Sequence, residues 1–116
     1  MKCLVTGGAG FIGSNLVDRL VKLGYQVIVL DNLSTGRLSN LIQVKNKIEF
    51  VNVDVANSEN SIGQYFNDVD WVFHLAGLAD IVPSIKNPNS YFQTNVKGTL
   101  NILEASKKIK IKKLIY

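Results

Sequence analysis

The stretch Thr6-Gly7-Gly8-Ala9-Gly10-Phe11-Ile12-Gly13 stands between a short apolar run and a helix-like pattern, and it decides the fold of this 116-residue chain. A glycine-rich turn between strand and helix lets backbone N–H groups approach a pyrophosphate, which the positive end of the helix dipole then holds. We assign Gly7 to the tight turn, Gly10 to the close approach and Gly13 to the packing of helix on strand. Since turns need glycine anyway, the surrounding residues have to decide between a binding site and a merely structural turn.

Asp31 supplies that context, because it ends the next predicted strand 18 residues after Gly13. Its carboxylate can accept hydrogen bonds from both hydroxyls of an adenosine ribose, and its charge would repel a 2′-phosphate. We therefore predict a dinucleotide site that favours NAD over NADP. Arg37 could pair with a 2′-phosphate, but it is more simply interpreted as a surface arginine.

Strand and helix patterns alternate along the whole chain, without repeats or linkers. The predicted strands are 2–6, 26–30, 48–53, 71–75 and 113–116. The predicted helices are 11–23, ended by Gly24, a weak one at 38–44, one at 58–67 and one at 89–107 with Ser90 as N-cap, while 83–88 is a loop with one helical turn at most. Parallel strands joined by right-handed helical crossovers predict an α/β, doubly wound (Rossmann) sheet of order 3-2-1-4-5, truncated before a sixth strand.

Length and composition limit the function classes. The chain is long enough for one domain, and 47% hydrophobic residues suffice for a core. Its apolar runs are far shorter than the ~20 residues of a membrane span, and no signal peptide precedes the first strand, so we expect a soluble cytoplasmic protein. The single Cys3 permits no disulfide and no cysteine cluster for a metal, and its apolar neighbours predict a buried thiol.

The net charge of +4 does not indicate nucleic-acid binding. Five of the thirteen basic residues lie in the last ten positions, and no aromatic residues alternate with them as base stacking would require. A terminal run of this kind is typically a solvated face. We expect no nucleic-acid partner and no metal site.

Two further polar residues stand at predicted strand ends. Asp54 follows the third strand and could bind the amino group of adenine, with Val55 packing on the ring, or it could be an ordinary turn aspartate; the residues leave both open. His74, the single histidine, lies at an apolar strand end. Alone it forms neither a triad nor a metal site, so a hydrogen-bonded structural imidazole is favoured over a catalytic one.

Six motifs in order give the chain a family resemblance over its whole length. They are 6–13 (TGGAGFIG), 31–36 (DNLSTG), 54–55 (DV), 74–77 (HLAG), 82–88 (VPSIKNP) and 95–99 (NVKGT), the last followed by 101–105 (NILEA). The sequence resembles the extended short-chain dehydrogenase/reductase family, and within it the NAD-dependent nucleotide-sugar epimerases and dehydratases. The resemblance implies NAD as cofactor and a nucleotide sugar as substrate.

The resemblance also implies which residues contact NAD. They are Gly7, Gly10, Phe11, Ile12 and Gly13 at the pyrophosphate; Asp31, Asn32, Ser34 and Thr35 around the adenosine ribose; Asp54 and Val55 at the adenine; Leu75, Ala76 and Gly77 beneath the cofactor; and Asn95 beside it on the last helix. Family enzymes often dimerise through helices of which only the predicted helix 89–107 is fully present here, so a homodimer is left open.

The sequence departs from the family pattern in two places. Some UDP-galactose epimerases carry a lysine soon after the His-x-Ala-Gly motif, where this chain has Ala79 and Asp80. In the family a Ser/Thr after the fifth strand and a Tyr-x-x-x-Lys pair perform the chemistry, and both would lie beyond residue 116. The residues four positions after Tyr25, Tyr65 and Tyr91 are Val29, Val69 and Asn95, so residues 1–116 contain no such pair.

The missing pair matters because a free tyrosine has a pKa near ~10, and a neighbouring ammonium is needed to make phenolate available near neutral pH. In complete family enzymes this phenolate takes a proton from a sugar hydroxyl while hydride passes to NAD. We expect residues 1–116 to be the NAD-binding portion of such an enzyme, without its substrate domain and inactive alone. The alternative is a non-catalytic NAD-binding sensor; the chain's last residues, an apolar strand, favour the first reading.

Overall fold

A computed structural model describes residues 1–57 and 62–116 of the chain. Its strands are β1 (Lys2–Thr6), β2 (Gln26–Asp31), β3 (Ile48–Asn52), β4 (Trp71–His74) and β5 (Lys113–Ile115). Its α-helices are α1 (Phe11–Lys22), α2 (Ile81–Lys86), α3 (Pro88–Tyr91) and α4 (Gly98–Ile109), and none of the helices described is long and apolar enough to cross a membrane. A π-helical turn, Phe92–Lys97, joins α3 to α4, and 3₁₀ turns occupy Leu38–Leu41, Lys45–Lys47 and Ile62–Phe66.

The five strands form one parallel sheet in the order β3-β2-β1-β4-β5, as the sequence predicts. The central strand β1 is paired on both sides, with Leu4 opposite Ile28 of β2 and opposite Val72 of β4. Chain connections leave β1 towards β2 on one side and reach β4 on the other. The carboxyl ends of β1 and β4 therefore flank a topological switch point, where open α/β sheets bind ligands.

Alternate residues of the buried strands enter two separate cores. On one face Leu4 packs in a cluster with Phe66 and with Ile102 of α4. On the other face Val5 packs in a cluster with Val17 of α1. All five side chains are completely buried, and each contributes roughly 1.5–3 kcal/mol when fully removed from water.

Helix α1 ends where the sequence predicts. Gly24 adopts a left-handed conformation, with φ +82°, which glycine reaches without a Cβ penalty. The Gly24 N–H donates to the Val21 carbonyl and the Tyr25 N–H to the Leu20 carbonyl, the paired bonds that satisfy the last carbonyls of a helix.

Several predicted helices differ from those observed. The region 38–44 contains one 3₁₀ turn, Leu38–Leu41, followed by non-helical turns. The region 83–88, predicted as a loop with one helical turn at most, contains the end of α2 and the first residue of α3. Of the predicted helix 58–67, residues 58–61 lie outside the described residues, and Ile62–Phe66 is a 3₁₀ turn. The predicted N-cap Ser90 is wrong. Asn87 caps α3 instead, its side chain accepting from the Ser90 N–H, because Pro88 fits the first turn of a helix and moves the start forward.

The apolar period in the last helical region lies largely on its outer face. Phe92, Val96, Leu100 and Leu103 are 46–56% exposed, whereas Ile102 of α4 is completely buried. Helical spacing was therefore a correct sign of the helix, but it did not indicate which face meets the sheet.

Asp70 ties together the amino ends of three strands. Its carboxylate accepts from the Lys2 N–H at 2.9 Å and from the Lys112 ammonium at 2.6 Å, while its backbone carbonyl accepts from the Lys112 N–H at 2.9 Å. The Lys112 hydrogen bond, followed by the Lys2 N–H, lowers the pKa of Asp70. The ionised carboxylate therefore stabilises the start of β1, β4 and β5 together.

Asp70→Asn is expected to lower the Tm at neutral pH, since the amide cannot accept both bonds. A lowered pKa in the folded state contributes stability above the unfolded pKa and loses it as pH falls through the folded value. The Tm difference between wild type and variant should thus shrink in acid, as followed by circular dichroism. Glu104→Gln, the same change on the exposed face of α4, should shift the Tm little; a Tm gap for Asp70→Asn that stays constant down to pH 2 would contradict the account.

Candidate functional site

A cleft of about 400 Å³ opens at the carboxyl ends of β1, β2 and β4, at the switch point of the sheet. It brings together all the residues that the sequence predicts to contact the cofactor except Asn95. Five lining residues were not predicted: Leu30, Val53, Leu78, Ala79 and Thr94. Leu30 lies one residue before the end of β2, and Val53 directly follows β3. The other three could have been found by extending the predicted motifs on either side by a few positions.

The glycine-rich turn packs so closely against its surroundings that no side chain fits at Gly7 or Gly13. A Cβ on Gly13 would overlap the Gly7 carbonyl oxygen and lie 2.7 Å from the Gly8 Cα. Gly7 has φ +67° and donates its N–H to the Leu30 carbonyl at 2.8 Å, which fastens the turn to β2. The assignments of Gly7 to the tight turn and Gly13 to helix packing are confirmed.

Helix α1 presents an uncapped amino end to the cleft. Its N-cap is Gly10, which offers no side-chain hydrogen bond, and its first turn contains no acidic residue. The first N–H groups of any helix lack a carbonyl partner within the helix, and the helix dipole favours an anion beside them. Phe11 and Ile12 line the cleft with side chains 84% and 70% exposed, so they are surface residues of the site and not core.

Asp31 holds the glycine-rich turn as well as facing the cleft. Its Oδ2 accepts from the Ala9 N–H at 2.9 Å and its Oδ1 from the Leu33 N–H at 2.8 Å. The residue is only 7% exposed. Each carboxylate oxygen has a further lone pair, so the two ribose hydrogen bonds predicted for Asp31 remain chemically available.

The loop after β2 packs on the same turn and bonds to Ala9. The Ala9 carbonyl accepts from the Arg37 N–H at 3.0 Å and from the Asn40 side chain at 2.8 Å. A Cβ on Gly36 would lie 2.9 Å from Ala9, so this loop also requires glycine. The Arg37 side chain is exposed and is not among the residues that line the cleft, which agrees with its interpretation as a surface arginine.

Asp54 begins a turn at the edge of the cleft. Its Oδ1 accepts from the Ala56 N–H at 2.8 Å, so the turn role considered from the sequence is present. The neighbouring Val55 is 4% exposed, and its carbonyl accepts from the Asn101 side chain at 2.8 Å. An adenine contact by either residue stays a prediction.

His74 is the structural imidazole that the sequence favoured. Its Nδ1 lies 2.7 Å from the Thr6 hydroxyl and its Nε2 lies 2.8 Å from the Thr99 hydroxyl. Burial lowers the pKa of His74, so the ring is neutral at physiological pH. The Thr6 hydroxyl also accepts from the Leu75 and Ala76 N–H groups, at 3.2 and 3.1 Å, where the chain turns under the cleft.

Asn95 lies behind the cleft and not in its lining. Its Oδ1 accepts from the Leu78 N–H and its Nδ2 donates to the Leu78 carbonyl, both at 2.8 Å. The Asn95 side chain therefore bonds to both the N–H and the carbonyl of Leu78, as the backbone of a neighbouring strand would. Leu78 itself lines the cleft. In the part of the chain that the structure describes, Asn95 is therefore connected to the cleft through its hydrogen bonds to Leu78.

Residues 3–116 match the model of the family described as "NAD dependent epimerase/dehydratase family". The chain belongs to this family. The uncapped helix end, the turn that excludes side chains and the acid at the end of β2 are the features that a dinucleotide requires, so the residues present fit the cofactor in the family's name.

Solved family structures share this fold closely. The UDP-glucose 4-epimerase of Thermotoga maritima with UDP-glucose is 41% identical with a TM-score of 0.90, over 98% of this chain and 36% of that one. The Thermus thermophilus UDP-glucose 4-epimerase complex with NAD is 39% identical with a TM-score of 0.89, over 100% of this chain and 37% of that one. Among curated relatives, UDP-glucuronic acid decarboxylase 1 of Arabidopsis thaliana is 40% identical over 94% of this chain and 24% of its own length.

The chain spans about a third of the length of the epimerases that it matches. The identity to the decarboxylase is similar to the identities to the epimerases.

Gly13→Ala is expected to lower the free energy of unfolding by at least about 2 kcal/mol, because the added methyl meets backbone atoms that cannot turn aside. Urea denaturation measures this. The matched control is Gly63→Ala, whose Cβ would have no atom within 4 Å and which should change stability by less than about 0.5 kcal/mol. Equal changes in the free energy of unfolding for the two substitutions would refute the close packing of α1 on the glycine turn.

Proposed function

We propose that this chain is the NAD-binding portion of a nucleotide-sugar epimerase or dehydratase, of the UDP-glucose 4-epimerase type. The observation that carries the proposal is the cleft itself, which joins the glycine-rich turn, the uncapped end of α1 and the Asp31 carboxylate at one sheet edge. Membership of the NAD-dependent family supports the choice of cofactor.

Each part of the cleft has a role in holding NAD. The N–H groups of Phe11 and Ile12 bind the pyrophosphate at the positive end of α1, and Gly10 lets it approach. Asp31 binds the adenosine ribose, with Asn32, Ser34 and Thr35 around it. Asp54 and Val55 meet the adenine, and 75–77 forms the floor under the rest of the cofactor.

The chain's own residues bind and orient; they do not transfer the proton. NAD, when bound, supplies a hydride acceptor for oxidation of a sugar hydroxyl to a ketone. A base must remove the hydroxyl proton, and residues 1–116 contain no Tyr-x-x-x-Lys pair to do so. We therefore propose that the isolated chain has no epimerase or dehydratase turnover. We also propose that it binds NAD weakly, because it spans only about a third of the length of the epimerases that it matches.

The partners follow from the same proposal. The substrate of the complete enzyme is a nucleotide sugar, as the UDP-glucose complex of the Thermotoga maritima epimerase supports. The homodimer left open by the sequence stays a prediction, and the exposed apolar face of Phe92, Val96 and Leu100 is the surface on which it would form.

Asp31→Ala tests the cofactor assignment through a ratio of affinities. The variant loses the Ala9 hydrogen bond and the bond to the ribose 3′-hydroxyl, which weakens binding of either dinucleotide. It loses the bond to the 2′-hydroxyl only towards NAD, and it removes the repulsion of the 2′-phosphate of NADP. We expect the NAD/NADP affinity ratio to fall about tenfold. Isothermal titration calorimetry measures both constants, with Glu104→Ala as the control for loss of one carboxylate; a ratio equal to that of wild type would remove Asp31 from the ribose role.

A further inference from the structure

The hydrogen bonds of His74 have a fixed direction. The Thr99 hydroxyl oxygen lies 2.6 Å from the Asn95 carbonyl oxygen, and two oxygens approach so closely only with a hydrogen between them. The Thr99 hydrogen is therefore committed to Asn95, and at 2.8 Å the His74 Nε2 must donate to the Thr99 oxygen. The ring is then the Nε2–H tautomer.

The other ring nitrogen gives the same answer. Thr6 Oγ1 accepts from the N–H groups of Leu75 and Ala76, so its own hydrogen points to His74 Nδ1 at 2.7 Å. An unprotonated Nδ1 is the acceptor that this arrangement needs. Both sides of the ring thus select a neutral imidazole with hydrogen on Nε2.

This chain of bonds ends on both sides at the cofactor floor, which we define as segment 75–78. Thr6 holds the beginning of the floor, and Asn95 holds its end through two bonds to Leu78. Asn95 lies in a π-helical turn, where the backbone is wider than in an α-helix, and the Thr99 hydroxyl ties its carbonyl one turn away. A Cβ on Gly77 would lie 3.4 Å from the Asn95 Oδ1, so floor and helix are in contact.

We propose that His74 is a positioning residue for the cofactor floor: as a neutral Nε2–H imidazole it joins Thr6 to Thr99 and so fastens both ends of segment 75–78. The effect on the floor follows from the hydrogen bonds alone. Its consequence for NAD affinity rests on the proposed function of the cleft.

Protonation of the ring breaks this arrangement. A hydrogen on Nδ1 would face the Thr6 hydroxyl hydrogen, and the Thr6 hydroxyl could turn to accept it only by releasing the Leu75 or the Ala76 N–H. The Leu75 N–H also donates to the Thr6 carbonyl at 3.1 Å, so the bond of the Ala76 N–H is the one that protonation puts at risk. The charged residues that β1, β5, the π turn and α4 carry are Lys2, Lys113, Lys97, Glu104, Lys107 and Lys108, and none of them is among the causes that shift the pKa of His74. Burial is the single cause that lowers the pKa of His74, so the floor stays fastened at neutral pH and loosens as pH falls through that lowered pKa.

Two variants break the chain of bonds at different links, and a third serves as control. His74→Phe removes both ring bonds, and Thr99→Val removes the middle hydroxyl with little change of shape. Ser106→Ala also removes a hydroxyl from α4, but within the described residues that hydroxyl is buried without a partner, so its loss should leave the floor unchanged. NMR hydrogen exchange of the ligand-free chain gives the protection factor of the Leu78 amide, and calorimetry gives the affinities for NAD and ADP.

We expect both His74→Phe and Thr99→Val to lower the Leu78 protection factor and the NAD affinity about tenfold. The affinity for ADP, which has the adenosine and pyrophosphate but no part that lies over segment 75–78, should change less than about twofold. In wild type the Leu78 protection factor should fall in acid, and in His74→Phe it should be independent of pH.

Unchanged Leu78 protection in Thr99→Val overturns the proposal, and this isosteric variant decides the matter even where His74→Phe does not fold. Equal losses of NAD and ADP affinity would also overturn it, because they indicate general damage and not a displaced floor. Failure of the wild-type chain to bind either nucleotide would instead refute the proposed function, and the exchange measurement would still judge His74.

Discussion

Helix α1 can begin where it does only because residue 13 has no side chain. A Cβ on Gly13 would overlap the Gly7 carbonyl oxygen and would lie 2.7 Å from the Gly8 Cα, so no side chain fits there. This close packing places the amino end of α1 directly at the carboxyl end of β1, the central strand of the sheet. The sheet order then puts that helix end at the switch point, so one packing constraint brings the positive end of a dipole to the place where the cleft opens.

The carboxylate of Asp31 links binding to architecture. It accepts from the Ala9 N–H of the glycine turn and from the Leu33 N–H of the next loop, and Asp31 also lines the cleft. The Ala9 carbonyl completes the arrangement by holding the segment around Arg37 and Asn40. The walls of the cleft around Asp31 are therefore pre-formed, because they are held by hydrogen bonds within the protein that do not require a ligand.

The residues at strand ends could be predicted from the sequence, whereas the π turn and the contacts that depend on the path of a loop could not. The glycine turn, Asp31 and the segment after His74 follow apolar runs whose spacing already implies a parallel sheet, and the carboxyl ends of such strands meet at one edge. The π turn around Asn95 has no comparable signal, since apolar spacing does not distinguish it from an α-helix. The hydrogen bond from the Ala9 N–H to the Asp31 carboxylate could not be predicted either. It depends on the path of a loop, and local patterns do not specify that path.

A crystal structure of the chain with NAD tests most directly whether the cofactor binds in the cleft as proposed. We expect the pyrophosphate at the N–H groups of Phe11 and Ile12, both adenosine ribose hydroxyls on the Asp31 carboxylate, and the rest of the cofactor over segment 75–78. NAD bound elsewhere on the chain, or in the cleft with its adenosine ribose away from Asp31, would contradict this expectation.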